Sequence, residues 1–394
     1  MASFDLIVAG AGPSSMALLD ALERVGLGDL RVLLVDRLAR RGDDRTWCFW
    51  ETRPGPFERL VAHRWPTLEV RGPDASAAGL RLAAAPYAYK MIRGGDFFGA
   101  MDAWLARRPQ VVRRVGEVVD VRTDGDRAVA WVDGERVDAR WAFDATGVPL
   151  DVPEGYHLLL QHFLGWEIET ERPCFDPSVA TFMDFRVPQR GGTCFVYVLP
   201  TDERRALVEY TVFSPAVWPL ERYEGELRAY LADVAEVGAY RVGRTESGVI
   251  PMTDRPFPAQ RGARVVTLGT AGGQTKASTG YTFQRTVRHA QALAAAMAKH
   301  GSPLLPRRWR RHDWMDGVLL RALATGRQDG ATFFHRLLSR NPPARVLAFL
   351  DEDTTLLQEV ALMASVDVPL FWRVGAEVAW RRWRAGRNRR RFGG

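Results

Sequence analysis

A glycine turn near the start of the chain constrains its fold more than any other feature. The apolar run at residues 6–9 has the character of a strand covered on both faces. It leads into Gly10-Ala11-Gly12-Pro13-Ser14-Ser15, after which Met16, Leu19, Leu22 and Val25 recur at helical spacing. Gly26 and Gly28 stop that helix, and residues 32–35 form a second strand that ends at Asp36. In a turn of this kind glycine lets the backbone approach a pyrophosphate at a helix N-terminus, where free N–H groups and the helix dipole favour anions. Gly10 and Gly12 supply the tight turn and the close approach, and Ser15 is small enough for helix–strand packing. Asp36 is placed to accept hydrogen bonds from ribose hydroxyls. The turn by itself is a weak signal; the strand before it, the helix after it and the acid closing the unit make it a dinucleotide motif.

Two later segments indicate which dinucleotide. Asp144-Ala145-Thr146-Gly147 and the run from Val265 through Gly269-Thr270-Ala271-Gly272-Gly273 resemble the recurring glycine turns of FAD-dependent hydroxylases and reductases. That resemblance implies FAD, with the second run bringing the helix after Tyr281 to the flavin. Thr270 stands where many such proteins have an Asp that holds the ribityl chain.

The rest of the chain reads as further compartments. Residues 111–141 alternate as strands do, with Asp133-Gly134 as a hairpin turn. Residues 195–199 and 206–213 are β-rich runs about a charged turn at 201–204, and the chain is helical from Pro303 onward. The expected fold class is α/β, α+β overall. A Rossmann-like FAD-binding domain is assembled from 1–60, 90–150 and 246–300. A β-rich substrate domain is inserted at 151–245, and 301–394 forms a helical C-terminal cap with a basic tail, an arrangement similar to flavoprotein hydroxylases.

Charge narrows the partners. The net charge of +7 resides in the last 24 residues, which hold eight arginines and one acid, so the body is electrically balanced and loses its claim on nucleic acid. Three cysteines at wide spacing form neither a disulfide framework nor a zinc motif, and the scattered histidines give no metal site. The sequence shows no signal peptide and no apolar run long enough to cross a membrane, so a cytoplasmic protein is expected.

An ordered set of segments then carries a closer resemblance. These are Asp44-Arg45-Thr46-Trp47-Cys48-Phe49-Trp50-Glu51, Gly165-Trp166-Glu167-Ile168-Glu169-Thr170, the Asp184-Phe185 segment, Leu207-Val208-Glu209-Tyr210-Thr211, the segment from Glu246 to Met252, and the Gly269–Gly273 turn. Together they look like the bacterial soluble-type lycopene β-cyclase family, over nearly the whole chain. The resemblance implies a carotenoid-cyclising isomerase that uses reduced FAD, with NAD(P)H as electron donor and no net redox change. The ψ-end of lycopene is protonated, the tertiary cation is attacked by a neighbouring double bond, and proton loss leaves a β-ionone ring, giving γ- or β-carotene. A redox flavoenzyme on the same scaffold, a monooxygenase or an isoprenoid or carotenoid reductase, is the alternative. A membrane- or nucleic-acid-binding protein with a relict nucleotide fold is a further one.

The residue chemistry suits acid-initiated cyclisation. Protonating an alkene needs an acid in an apolar cavity, where burial raises a carboxyl pKa. Carbocations need electron-rich walls, and 13 Trp and 19 Phe supply them, most densely at Trp47, Phe49 and Trp50. The family's acidic motif places Glu209 first, as the catalytic carboxylate, but Tyr210 replaces its second acid; in a strand the two face opposite ways. Tyr210 joins Trp47, Phe49 and Trp50 as a candidate substrate contact. Asp184 is either a second active-site acid or a carboxylate paired with an arginine. Glu167 and Glu169 are either a paired-acid site or a salt-bridged surface. Trp47 and Trp50 are core or cation wall, and Arg45 could reach a phosphate. Arg307-Arg308-Trp309-Arg310-Arg311 and the tail with Trp380 and Trp383 suit an anionic lipid surface, or else form a solvated tail. The lipid reading places the protein peripherally on the inner face of the membrane.

Overall fold

The computed structural model of the protein describes residues 4–39, 42–43, 45–74, 78–147, 151–306 and 311–392, with side chains to Arg387. Asp44, residues 307–310 of the first basic group and the side chains of Arg389, Arg390 and Arg391 lie outside the described residues.

Three sheets organise the chain. In the first, Val111–Val115, Val32–Asp36, Phe4–Ala9 and Glu135–Asp144 lie side by side and pair in parallel, and Val265–Thr267 adds to Glu135–Asp144 in the same sense. Parallel strands covered on both faces require continuous apolar runs, and Leu6, Ile7, Val8 and Ala9 are fully buried. Arg127–Val132 and Val118–Asp124 extend the sheet as an antiparallel meander. The Asp133-Gly134 turn has φ of 51° and 82°, the left-handed pair that a two-residue hairpin needs. Helices Pro13–Arg24 and Phe283–His300 cover one face with Met16, Leu19, Leu293 and Met297.

The second sheet runs in the order Tyr240–Thr253, Leu158–Thr170, Arg205–Ser214, Thr193–Pro200, Val179–Asp184, Thr67–Arg71, Leu80–Ala83. It reaches beyond 151–245 at both edges. Thr67–Arg71 and Leu80–Ala83 join it through a parallel pairing with Val179–Asp184. At the other edge Tyr240–Thr253 passes residue 245 unbroken, because the long strand Leu158–Thr170 is paired along its length, from Leu158 opposite Thr253 to Thr170 opposite Tyr240. Side chains alternate across the sheet. Val208, Tyr210 and Val212 face helix Leu220–Ala229, whereas Leu207, Phe195 and Phe213 face the C-terminal helices.

A small sheet of Thr46–Glu51, Ala88–Arg93 and His63–Trp65 stands between the two. Its alternation serves both cores. Trp47 and Phe49 pack with Phe97 and Phe283 of the first, and Trp50 packs with Tyr89 and Phe182 of the second.

The C-terminal region is the expected helical cap: Arg311–Ala324, Gly330–Ser339, Pro343–Leu350, Leu356–Met363 and Val368–Phe392. Its starts are legible locally. Asp329 accepts from the Thr332 N–H (2.7 Å), and Thr355 with Gln358 forms a capping box. The cap is pinned at several points. Trp50 Nε1 donates to the Leu347 carbonyl (3.1 Å), and Lys276, fully buried, places its ammonium 2.8 Å from both Asp316 carboxylate oxygens and 3.4 Å from Glu352. The basic segment is not a free tail as far as it is described. Arg382 turns inward from the last helix to Asp254 (2.6 Å), whose buried carboxylate also accepts the His157 backbone N–H (2.6 Å).

Arg382→Ala removes the guanidinium partner of a buried carboxylate, at a cost of about 2 kcal/mol. A thermal melt is expected to show Tm several degrees lower, while Trp383→Ala, at an exposed neighbouring position, leaves Tm unchanged.

Candidate active site

Candidate functional residues gather at two places, on either side of the small sheet. The first is a cleft of about 450 Å³ at the C-terminal ends of the parallel strands, lined by Gly10, Gly12, Ala145, Gly147 and Gly269 together with Trp47, Thr282 and Phe283. Gly10 needs its glycine: φ is 90°, and a Cβ would press on Ala145 at 3.4 Å. A Cβ on Gly12 would meet nothing within 4 Å, so the backbone lies open to the cleft where helix Pro13–Arg24 begins without a side-chain cap. A second short helical turn, Gly269–Gly272, closes the opposite wall, with Gly269 at φ 57° because a Cβ would strike the Ser14 hydroxyl at 2.9 Å. The Thr286 hydroxyl is buried with no protein partner and Thr286 lines the cleft. Open backbone at an uncapped helix start and an unspent hydroxyl are what a dinucleotide phosphate and ribose require.

Asp36 clamps this turn from behind, accepting from the Ala11 N–H (2.6 Å) and the Leu38 N–H (2.9 Å). Asp144 is buried, accepts from the Thr146 N–H (2.8 Å) and is paired with Arg261, which reaches in from the far rim. Ser15 is fully buried in the helix behind the turn. Gly272 and Gly273 shape the second turn: a Cβ at Gly272 would lie 2.6 Å from the Thr267 carbonyl, and Gly273 caps the turn at φ 72°. Arg45 is exposed, and its carbonyl accepts the Gly94 N–H (2.8 Å).

The second is a cluster of side chains on the inward face of the second sheet. Tyr197, Glu209, Gly165 and Glu246 stand directly opposite one another on four adjacent strands, so their side-chain positions form one row on one face. Thr46 and Cys48 approach from the small sheet; the Thr46 hydroxyl donates to Glu246 (2.7 Å). Tyr281 enters from the loop after the second glycine turn, its hydroxyl 3.4 Å from those of Tyr89 and Tyr197 and its ring edge-on to Trp50 at 4.6 Å. Cys48, Glu209 and Tyr281 each keep some accessible surface, yet burial is the largest influence on the acidity of each.

Burial, reinforced by the negative charge of Glu246, pushes the Glu209 carboxyl up to about 8; the Thr211 hydroxyl, donating at 2.7 Å, opposes it. Burial pushes the Cys48 thiol and the Tyr281, Tyr197 and Tyr89 phenols up as well, so all four are neutral at physiological pH. The cluster therefore sets a carboxyl raised well above the usual carboxylate range beside Tyr197 and Tyr281, and Phe182 stacks on Tyr281 at 3°.

The candidate residues divide accordingly. Trp50 borders the cluster, Trp47 lines the cleft, and Phe49 is spent on the core against Phe283 at 5.0 Å. Tyr210 does not join Glu209: it points through the sheet to Trp218 and Cys194, as strand alternation dictates. Asp184 is likewise on the far face, because a register shift between Thr181 and Asp184 turns it there. It is fully buried, paired with Arg186 (2.6 Å) and accepts from the Tyr230 hydroxyl (2.8 Å), so of the two readings open for it the ion pair is the one present. Glu167 pairs with Arg93 and Arg244, and Glu169 with Arg205 and Arg241, as a salt-bridged surface. From the sequence, Glu246 was named only as the start of a segment of the family resemblance, without a role, and the Tyr89, Tyr197 and Tyr281 cluster was not singled out. Strand pairing through a glycine was the one available signal, and register is not readable from one chain.

Known proteins resemble this sequence and share this fold. The family model described as lycopene cyclase protein matches residues 5–371. A lycopene beta-cyclase of a Paracoccus species is 30% identical over 320 residues, 76% of either chain, and that of Pseudescherichia vulneris is 27% identical over 352 residues, 82% of this chain and 84% of the other. Solved structures share the fold at lower identity. A flavoprotein/dehydrogenase from Cytophaga hutchinsonii superposes with a TM-score of 0.62 at 15% identity, covering 93% of this chain and 100% of that one. The flavin-dependent monooxygenase PieE, solved with FAD and substrate, gives 0.58 at 15% identity, covering 92% and 71%. The fold is thus that of the FAD-dependent flavoproteins, and the chain belongs to the lycopene cyclase family.

Proposed function

We propose that the protein is a lycopene β-cyclase, an isomerase that closes ψ-ends of lycopene to β-ionone rings with FAD bound in the cleft. The observation that carries this reading is Glu209, a carboxyl that burial pushes up to about 8, with the Tyr197 and Tyr281 phenols near it. Gly10, Gly12 and Gly269 would hold the pyrophosphate side of FAD, Thr286 a ribose or ribityl hydroxyl, and Trp47 and Phe283 the ring-bearing end. In its reduced form, with NAD(P)H as electron source, FAD would add electron density that favours a cation nearby.

The protein's own residues account for the remaining chemistry. Glu209 gives its proton to the terminal double bond, and a tertiary cation forms. The faces of Trp50, Tyr281 and Phe182 stabilise that charge through their quadrupoles, and the phenols, held neutral, do not capture it. A second double bond attacks the cation, and Glu209, now the nearest carboxylate, takes back a ring proton. The buried setting keeps water from quenching the intermediate. Oxidation level is unchanged, which separates this reading from a monooxygenase or reductase on the same fold.

The substrate dissolves in membranes, and the C-terminal helices offer a surface suited to one. Trp372, Trp380 and Trp383 are 73%, 54% and 57% exposed and fall within one stripe of helix Val368–Phe392 at 100° per residue. Arg373, Arg384 and Arg387 share that side, with Arg384 over Trp380 and Arg387 over Trp383. Just before this helix, Leu356, Leu357 and Val360 are also exposed on Leu356–Met363. Tryptophan at headgroup depth and arginine on phosphates is the pattern of an interfacial helix. No helix among the described residues is long and apolar enough to cross a membrane. We place the protein in the cytoplasm, peripheral on the inner face of the membrane, with lycopene and related carotenes as substrates and no nucleic-acid partner.

Three outcomes are expected. Glu209→Gln abolishes ring formation in a lycopene-accumulating host, read by pigment chromatography, while the purified protein keeps its flavin absorbance; β-carotene from this variant would overturn the assignment. In the wild type, activity holds below and falls above pH 8, because the acid form of Glu209 is lost as pH rises through its raised value. Replacing Trp372, Trp380 and Trp383 with Ser together releases the protein from vesicles containing phosphatidylglycerol in a sedimentation assay, with Tm unchanged; undiminished binding would remove this face from consideration.

A further inference from the structure

The row across the second sheet contains two glutamates and, between them, no side chain. Glu209 and Glu246 lie on the strands flanking Leu158–Thr170, each directly opposite Gly165. A Cβ at Gly165 would come within 3.1 Å of the Glu246 Cγ and 3.5 Å of the Glu209 Cβ, so the two side chains close over the space that the glycine leaves. Their partners differ. Glu246 accepts from Arg244 (2.8 Å) and from the Thr46 hydroxyl (2.7 Å), and Arg244 is itself held by Glu167 and faces Asp43. Among the described residues, Glu209 accepts from Thr211 and is paired with no cation. The other titratable groups about Glu209 are the Cys48 thiol from the small sheet, Tyr197 on the next strand and Tyr281 from the cofactor loop, all neutral. Tyr89, behind Tyr281, is neutral too.

We propose that Glu246 is a positioning residue for the acid. Its carboxylate, fixed by Arg244 and Thr46 and brought beside Glu209 by the lack of a side chain at Gly165, stays ionised and confines the exchangeable proton of the site to Glu209. It thereby supplies the second acid that Tyr210, facing away, does not. The inference rests on the proposed cyclase reading for its chemical meaning, and its balance is that of an isomerisation. The proton leaves Glu209 for one alkene carbon, and the π pair of a second alkene forms the ring σ bond. A ring C–H pair becomes the new double bond, and that proton returns to Glu209. During the cationic stage both carboxylates are ionised and adjacent, which favours the cation and then makes Glu209 a strong base for the returning proton. Burial pushes Glu246 up as well, and Arg244 opposes it.

Infrared titration of the folded protein in heavy water tests this without turnover. The protonated carboxyl band of Glu209 is assigned by its loss in Glu209→Gln. In Glu246→Gln its midpoint is expected to fall by about one pH unit or more, because the like charge that held the proton is gone. Glu246→Asp, which withdraws the charge by one methylene, is expected to give an intermediate midpoint, and it carries the test alone if Glu246→Gln loses the native melt. A Glu209 midpoint that stays in place in the folded variants overturns the proposal. The alkaline limb of lycopene conversion moves with the infrared midpoint if Glu246 acts through Glu209, whereas a merely structural role lowers conversion equally at every pH. A shifted midpoint in a protein that converts no lycopene would retire the cyclase reading and leave the carboxylate pair standing.

Discussion

The period-two alternation of one short strand is the constraint on which the rest of this molecule depends. Thr46–Glu51 sends Trp47 and Phe49 to one side, against Phe97 and Phe283, and Thr46, Cys48 and Trp50 to the other, against Glu246, Glu209 and Tyr281. Six residues thus stand between the glycine-lined cleft and the Glu209 cluster. A slip of one residue in its register would exchange the two sets and place tryptophan where the acid pair needs room. The pairing with Ala88–Arg93, in register from Thr46 opposite Arg93 to Glu51 opposite Ala88, holds that assignment.

The loop after the second glycine turn completes the coupling. Gly269 and Ala271 line the cleft, Tyr281 reaches the Glu209 cluster, and Thr282 and Phe283 return to the cleft as the long helix begins. One stretch of backbone therefore contributes both to the cleft and to the surroundings of Glu209. Burial does the chemical work in the cluster: it raises the carboxyl of Glu209 and keeps the phenols and the thiol neutral, so one environment sets every protonation state.

Much of this was legible in the chain, and what was not has physical reasons. The first glycine turn, its strand and its helix follow from local pattern, since φ at Gly10 and the apolar runs are local properties. That Tyr210 would face away from Glu209 follows from strand geometry alone. Asp184 was undecided because a bulge sets which face it takes, and bulges leave little trace in sequence. A role for Glu246 was missed because its proximity to Glu209 is created by pairing of three strands distant in sequence, and the residue that permits it, Gly165, reads in isolation as a weak point in a strand. Thr67–Arg71 and Leu80–Ala83 were left unassigned because the strand that brings them into the sheet, Val179–Asp184, lies far along the chain.

Lys276 has a consequence for how the two halves of the molecule hold together. Its fully buried ammonium belongs to the cofactor loop, but its counter-charges, Asp316 and Glu352, belong to the cap; Arg285, at the start of the long helix, shares Glu352. A desolvated cation cannot be left without its anions, so the cap cannot swing away while the loop keeps its shape. The same charges that hold the C-terminal helices down therefore also fix the loop whose backbone joins Lys276 to Tyr281, so a loosening of either would be felt by the other.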